Sequence, residues 1–559
     1  MFLKALKPVR LLLALGDVAL TASIPRSPSS VQVPVAVPAE ASLEIDPDFL
    51  GLAFEQASFT RYAEGDAGNI NAFSANLMNS VYSRTGGKPN IRLGGTSPDY
   101  GKYLPGQAET ALPVAEQNNY QDIGHTTIGP SYWTLAKNFP DAVYIVQVPM
   151  ATTNISESIA WVQSALDTID GDQIFSIQPG NEPDLYANTF AGADGIPLHP
   201  PDYQGTLDSQ TYVGNWTKYV SAIKDAVPGV PAGRVFSAFD MASSHKDIFP
   251  VETCFDLGID ADGVIKEVAA HYYQGNAGTA ATLGSVLMNL TLTHSNLDAF
   301  KVRIDWLRAN QPEISFVLSE VGNSLQPANT YEYQARLGSA LWQVDFYLYS
   351  MTIGIARINY QQIMHADLYA AEKDAGYNLW LPVASAGLPA QVFSNYYSQP
   401  FLADFIGKER KNERKNEISS THYIINTRQG DSGKTRVAQL SVDASDIAAY
   451  AAYEDGAPKR IAAINMAYWN ETSSAGARGS VTLGFEVPDD VAQVTVYHLN
   501  SPAGAGAAAD SITYGGSQWT YASLGTEVTD VRADTETITV EGGVASVTVA
   551  SSEAVLVWL

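Results

Sequence analysis

Two glutamates close apolar strands. The run Phe175-Ser-Ile-Gln-Pro-Gly leads into Asn181 and Glu182, and the run Ile314-Ser-Phe-Val-Leu-Ser leads into Glu320. An ionised carboxylate at the end of an apolar strand is costly unless it is paired, hydrogen-bonded or used in chemistry. Singly, each glutamate fits an ion pair or a helix cap as well as it fits a reactive group. On opposite sides of one opening, they match the two carboxylates that break a glycosidic bond. One is protonated and donates to the leaving oxygen; the other is ionised and attacks the anomeric carbon. Two carboxylates about 5 Å apart push their proton affinities apart, so one pair can hold both states. Asn181, beside the acid, is placed to hydrogen-bond a sugar 2-hydroxyl. Tyr273 ends a third run, on the face of His271 by strand alternation, where a phenol can hold a carboxylate ionised. Core packing with a satisfied hydroxyl is the competing reading of that tyrosine.

Such a pair needs a scaffold that brings distant strand ends to one place. Eight short apolar or β-branched runs recur between about residues 50 and 361: Leu50–Glu55, Asn90–Gly95, Tyr144–Pro149, Phe175–Pro179, Val235–Asp240, Val268–Tyr273, Ile314–Glu320 and Ile355–Gln361. Between them, segments such as Ile155–Thr168 and Tyr333–Tyr349 space apolar residues as an amphipathic helix does. Eight strands alternating with helices predict a closed (β/α)8 TIM barrel over residues 45–405, with its chemistry at the carboxyl ends of the strands. An open doubly wound sheet is the alternative, but Gly51-Leu-Ala-Phe after the first run's start supplies no dinucleotide turn. Beyond residue 420 the texture changes. Arg436–Val442, Arg460–Asn465, Gly479–Phe485, Val494–Leu499, Thr537–Val540 and Ala545–Val549 read as strands between Gly, Pro, Asp and Asn turns. They predict an antiparallel β-sandwich over residues 420–559, joined by an early strand from Val31–Val37. Lys408–Glu417, in which Glu-Arg-Lys-Asn occurs twice, reads as a solvated loop or a duplicated stretch.

The chain has 559 residues, 45% of them hydrophobic and 16% charged, which excludes a disordered chain or a coiled coil. Its formal net charge of −26 repels phosphate backbones and anionic surfaces, and so argues against nucleic acid and membranes as partners. A single cysteine, Cys254, rules out an internal disulfide framework. Lys4, Lys7 and Arg10 precede the apolar run Leu11–Leu20, followed by the small residues Thr21, Ala22 and Ser23. That order predicts a signal peptide over residues 1–23 and an exported protein, with a buried first helix as the other reading. Four glycosylation triplets, at Asn154, Asn215, Asn289 and Asn470, fit secretion. No Gly-x-Ser-x-Gly elbow and no His-Glu-x-x-His occurs, so neither a serine hydrolase nor a zinc enzyme is indicated, and no motif calls for a cofactor or metal.

Asn181-Glu-Pro-Asp184 resembles the acid/base motif of retaining (β/α)8 glycosidases, most closely that of glycoside hydrolase family 79, which includes β-glucuronidases and heparanases. Asn71-Ala-Phe-Ser-Ala-Asn-Leu77, Asn90-Ile-Arg-Leu-Gly-Gly-Thr-Ser-Pro-Asp99 and Ala448-Ala-Tyr-Ala-Ala-Tyr-Glu-Asp-Gly456 carry the same resemblance. It implies that Glu182 is the acid/base and Glu320 the nucleophile of a retaining mechanism, that Glu55 and Asn181 bind the sugar, and that Tyr273 attends the nucleophile. It also implies a substrate bearing terminal glucuronate or 4-O-methylglucuronate, bound through tyrosines and backbone amides. Gln326, Tyr333, Tyr360 and Tyr377 are the candidates for that carboxylate. The rival readings are an endo-glucuronidase, an arabinofuranosidase-like or glucosylceramidase-like specificity, and a non-catalytic carbohydrate-binding barrel.

Overall fold

The structure, a computed structural model, describes residues 29–65, 68–112, 114, 126–151, 154–186, 208–242, 248–276, 283–325, 333–364, 378–385, 387–407 and 435–559. The amino-terminal segment, the Lys408–Glu417 run, Gln326 and Tyr377 lie outside the described residues.

Eight parallel strands close a barrel: β1 (Leu50–Glu55), β2 (Asn90–Gly94), β3 (Val143–Val148), β4 (Ile174–Pro179), β5 (Phe236–Met241), β6 (Ile265–Asn276), β7 (Ser315–Leu325) and β8 (Ile358–Gln362). Each falls on one of the runs read from the sequence. The ring closes where β8 pairs with β1, Ile358 opposite Leu50 through Gln362 opposite Phe54. Helix Leu337–Ile353, expected from Tyr333, starts later. No side chain caps it; the amides of Leu337 and Gly338 donate to the carbonyls of Ala507 and Ala505 in the carboxyl-terminal domain. It ends at Gly354, whose φ of 96° is the left-handed conformation of a helix stop.

The barrel interior is polar. Near its floor Arg357 Nη2 donates to Glu267 Oε2 at 2.6 Å, Ser176 Oγ donates to Glu267 Oε1 at 3.2 Å, and Asn359 Nδ2 donates to the Asn90 side chain at 3.2 Å. Gly51 faces Asn359 across this layer, where a β-carbon would collide with the amide. Charges sealed at this depth persist only when each is paired.

The carboxyl-terminal domain is a sandwich of a seven-stranded and a three-stranded sheet. The larger sheet is apolar on both faces. Ile447, Ala449, Ala451 and Tyr453 meet the smaller sheet, while Ala448, Tyr450 and Ala452 pack toward the barrel. The smaller sheet takes in the early strand Ser29–Gln32, which pairs parallel with Ser480–Glu486. This strand is shorter than Val31–Val37, because Pro34 has no N–H to continue a ladder.

Candidate active site

Arg92 is the hub of the barrel mouth. It lies two residues before the end of β2 and is fully buried. Its Nη1 donates to Glu320 Oε2 at 2.7 Å. Its Nη2 donates to Asp240 Oδ2 at 2.7 Å, Asn181 Oδ1 at 2.8 Å and Gln147 Oε1 at 3.1 Å, and its Nε donates to Gln178 Oε1 at 3.1 Å. One guanidinium thus ties together residues from β3, β4, β5 and β7 and the turn after β4. The glycines that follow explain the Arg-Leu-Gly-Gly sequence. A β-carbon on Gly94 would stand 2.6 Å from Gln147 Oε1 and 2.7 Å from Arg92 Cζ. Gly95 has a φ of 105°, and its amide donates to Gln147 Oε1 at 2.7 Å. Asp99, at the end of the same motif, accepts from the amides of Met150 and Asn181 and from the Tyr186 hydroxyl. It thereby holds the ends of β3 and β4 in place. Burial pushes its carboxyl up to about 7.

Glu320 reaches the mouth through a β-bulge. Ala270 pairs with Leu318 and His271 with Glu320, so Ser319 is the extra residue and both Ser319 and Glu320 face inward. The Tyr273 hydroxyl donates to Glu320 Oε1 at 2.8 Å. That phenol lies where a side chain on Gly322 would be, so glycine at 322 is what gives Tyr273 its route to the carboxylate. Both oxygens of Glu320 therefore accept from fixed donors.

Glu182 is held differently. It has φ 50° and ψ 50°, a left-handed conformation that a non-glycine residue adopts at a cost of about 1–3 kcal/mol. Its amide donates to the Asp240 carbonyl at 3.0 Å, and its Oε1 accepts from His271 Nδ1 at 2.9 Å. Its side chain is 20% exposed against 9% for Glu320, so it is the carboxylate that water reaches more readily. Ligand atoms of Glu182, His271 and Glu320 lie within 4.8 Å of one another. That spacing would admit a cation, but the chemistry of the donor set is against one. Burial works to lower the His271 proton affinity, yet Asp240 and Glu320 raise it well above the ordinary value, and an imidazolium has no lone pair for a metal.

Glu55, at the end of β1, is buried. Its Oε2 accepts from the Ser58 amide at 3.2 Å and caps the helix Gln56–Ala63, while Oε1 has no partner among the described residues. Burial pushes this carboxyl up to about 8, so it is protonated at neutral pH and able to donate. Tyr333 stands beside Gly275 at the end of β6 with its hydroxyl unpartnered among the described residues. Tyr360 does not face the mouth. Alternation along β8 turns it outward, where its hydroxyl accepts from Gln343 Nε2 on helix Leu337–Ile353 at 2.9 Å. The expectation that Tyr360 binds substrate is thereby corrected; its inward neighbours are Asn359 and Gln361.

Sequence reasoning assigned no role to Arg92 or Asp240. The signal for Asp240 was present: an acid that ends an apolar run, the same feature that singled out Glu182 and Glu320. For Arg92 it was a lone cation inside an apolar strand, which must be matched by buried acids from elsewhere.

A barrel with paired carboxylates at its mouth and an all-β domain docked beside it defines a class, and comparison with known proteins agrees. Residues 449–556 match the Glycosyl hydrolase family 79 C-terminal beta domain. Over 497 residues the chain is 26% identical to a β-glucuronidase of Neurospora crassa, covering 84% of this chain and 82% of that one. It is also 26% identical to a β-glucuronidase of Aspergillus niger over 520 residues, 89% of this chain and 87% of the relative. Among solved structures, a 4-O-α-L-rhamnosyl-β-D-glucuronidase from Fusarium oxysporum superposes with a TM-score of 0.72 at 19% identity, covering 95% of this chain and 100% of that one. A family 51 α-L-arabinofuranosidase from Bifidobacterium longum shares the fold at a TM-score of 0.58 and 14% identity, covering 95% and 99%. The chain is a glycoside hydrolase. Its carboxyl-terminal domain matches that of family 79 over residues 449–556.

Proposed function

We propose that the chain is a secreted, retaining, exo-acting β-glucuronidase, with Glu320 as nucleophile and Glu182 as acid/base. The observation that carries the reading is the spacing of the pair. Oxygens within 4.8 Å of each other leave no room for the water that an inverting enzyme places between carboxyl groups about 6.5–9.5 Å apart. Arg92 and Tyr273 hold Glu320 aimed. It attacks the anomeric carbon and forms a glycosyl ester while Glu182 protonates the departing oxygen. Glu182, now a carboxylate, then takes a proton from the water that hydrolyses the ester. Asn181, fixed by Arg92, and Glu55, with its unpartnered Oε1, are the groups that take sugar hydroxyls. The Tyr333 hydroxyl and Gln326 are assigned to the glucuronate carboxylate. The relatives named β-glucuronidase support the choice of sugar.

The net charge of −26 favours a substrate with one terminal charge over a threaded polyanion such as heparan sulfate. Terminal glucuronate or its 4-O-methyl ether on plant glycans fits that requirement. The test is product analysis on an arabinogalactan with terminal glucuronate and on heparan sulfate, beside aryl glycosides that differ only at carbon 5. Monosaccharide release from the first and a preference for the carboxylate at carbon 5 are expected. Internal fragments of heparan sulfate, or a preference for an arabinofuranoside, would overturn the reading.

A further inference from the structure

Asp240 is a second buried carboxylate behind the reacting pair, and the fold presents it at unusual cost. Among the described residues, seven non-glycine positions have positive φ, and three of them meet here: Glu182 at 50°, Phe239 at 77° and Asp240 at 45°. Consecutive left-handed residues at the end of a barrel strand are strained, and such strain persists where the surroundings over-determine it, most often at functional sites. The surroundings do so. The Phe239 amide donates to the Tyr212 hydroxyl at 2.6 Å, and the Asp240 carbonyl accepts from the Glu182 amide at 3.0 Å. Asp240 Oδ2 takes Arg92 Nη2 at 2.7 Å and the Gln178 amide, Oδ1 takes the Ser319 hydroxyl, and His271 Nε2 lies 3.1 Å from Oδ2. The far side of the same imidazole is the Nδ1 that donates to Glu182.

We propose that Asp240 is a positioning residue: it holds His271 as an imidazolium, which fixes the proton of Glu182 on Oε2, the oxygen that His271 does not occupy. The inference rests on the acid/base reading of Glu182. Two anions and two cations meet here beside the protonated Glu182: Asp240 and Glu320 (3.8 Å from Nδ1) are negative, and Arg92 and His271 itself are positive. Asp184, after β4, adds a weaker negative field, and Tyr273, on the same strand as His271, is neutral and donates to Glu320. Without the imidazolium, Arg92 would face two carboxylates alone. Burial works to raise the Asp240 carboxyl, but Arg92 and His271 hold it down to about 2, so it remains a permanent anion across the working pH. Nε2 lies 3.1 Å from that anion and Nδ1 2.9 Å from Glu182 Oε1, so an acid stands against each ring nitrogen, a setting that favours the doubly protonated ring. With Oε1 of Glu182 occupied as an acceptor, its transferable proton sits on Oε2.

The test is the titration of His271 by NMR of the full chain labelled with 15N-histidine, the resonance being assigned by its loss in His271→Gln. Both ring nitrogens should stay protonated well past the ordinary value of about 6.5. In Asp240→Asn the same imidazole should titrate at lower pH. The basic limb of the kcat/KM profile should move to higher pH in that variant, because a neutral neighbour no longer favours proton release. Ser319→Ala removes a hydrogen bond from Asp240 but not its charge, so it should leave the titration in place; a merely structural role would make the two variants alike. A neutral His271 at pH 7 in the unaltered protein overturns the proposal. An unchanged titration in Asp240→Asn does so too. The measurement is independent of substrate. A chain that holds the imidazolium yet cleaves no glucuronide sinks the functional reading and supports the coupling. An active glucuronidase with a neutral His271 sinks the coupling alone.

Discussion

The barrel interior and the seven-stranded sheet are both sealed from water, yet they are built from opposite materials. In the barrel, Arg92, Asp240, Glu267, His271, Glu320 and Arg357 are buried, and each is held by at least one opposite charge. In the sheet, Ala449, Ala451, Ile461, Ala463, Val496, Val555 and Val557 fill the sandwich core with alkyl groups. Burying apolar area stabilises at roughly 25 cal/mol per Å². A buried ion pair does little better than break even against apolar residues of the same shape, and losing one partner costs about 3–5 kcal/mol. Stability alone would therefore not select the barrel's contents. The two regions show a division of labour. The sheet anchors the barrel through Tyr450, whose hydroxyl donates to Asp345 at 2.6 Å, and the barrel holds charge in fixed positions for chemistry.

The largest break in that comparison is expected from Glu320→Gln. The amide keeps the shape but cannot form the glycosyl ester, so turnover should fall by at least about a thousandfold when assayed at a temperature where circular dichroism shows the variant folded. Retention of about a tenth of the activity would remove Glu320 from the nucleophile's role. Next comes Glu182→Ala, which should cost about 100- to 10,000-fold on substrates with poor leaving groups and far less on activated aryl glycosides. Added azide should restore turnover of the activated substrate; equal losses on both, with no rescue, would refute the assignment.

Ile461→Ala addresses the other region. Emptying that fully buried site should lower stability by about 2–5 kcal/mol, read from a denaturation midpoint, with kcat unchanged. A change in kcat without a change in stability would contradict the division of labour. The smallest effect is that of pH on stability. Burial raises Asp99 to about 7 and Glu55 to about 8, from ordinary values near 4. The folded state therefore binds more protons than the unfolded one between about pH 4 and pH 8. Stability from these groups is full below about pH 4 and is lost as pH rises through their folded values. A melting temperature a few degrees lower at pH 8 than at pH 5 is expected, with a smaller difference in Asp99→Asn. A rising melting temperature over that range would contradict the assignment of these carboxyls.

The chain's pattern of runs was enough to place all eight barrel strands within a few residues at most of their starts, because short runs rich in apolar and β-branched residues recur and the helices between them repeat at their own period. The two glutamates were legible for a related reason: an acid that ends such a run breaks the composition around it. Other features left no local trace. Strand Ile447–Glu454 is Ala- and Tyr-rich with no alternation, since both its faces are covered, and it read as a motif rather than as a strand. The expectation for Tyr360 failed because a residue's type does not say which way the pleat turns it. Ser319 and Glu320 both face inward only because a bulge inserts one residue opposite β6, and pairing register is a property of two strands. The meeting of Arg92 with Glu320, 228 positions away, and with Asp240, 148 positions away, follows from barrel closure. Local sequence determined which segments become strands and where charges end them. Tertiary structure alone decided which of those charges face one another, because barrel closure brings together groups that are distant along the chain.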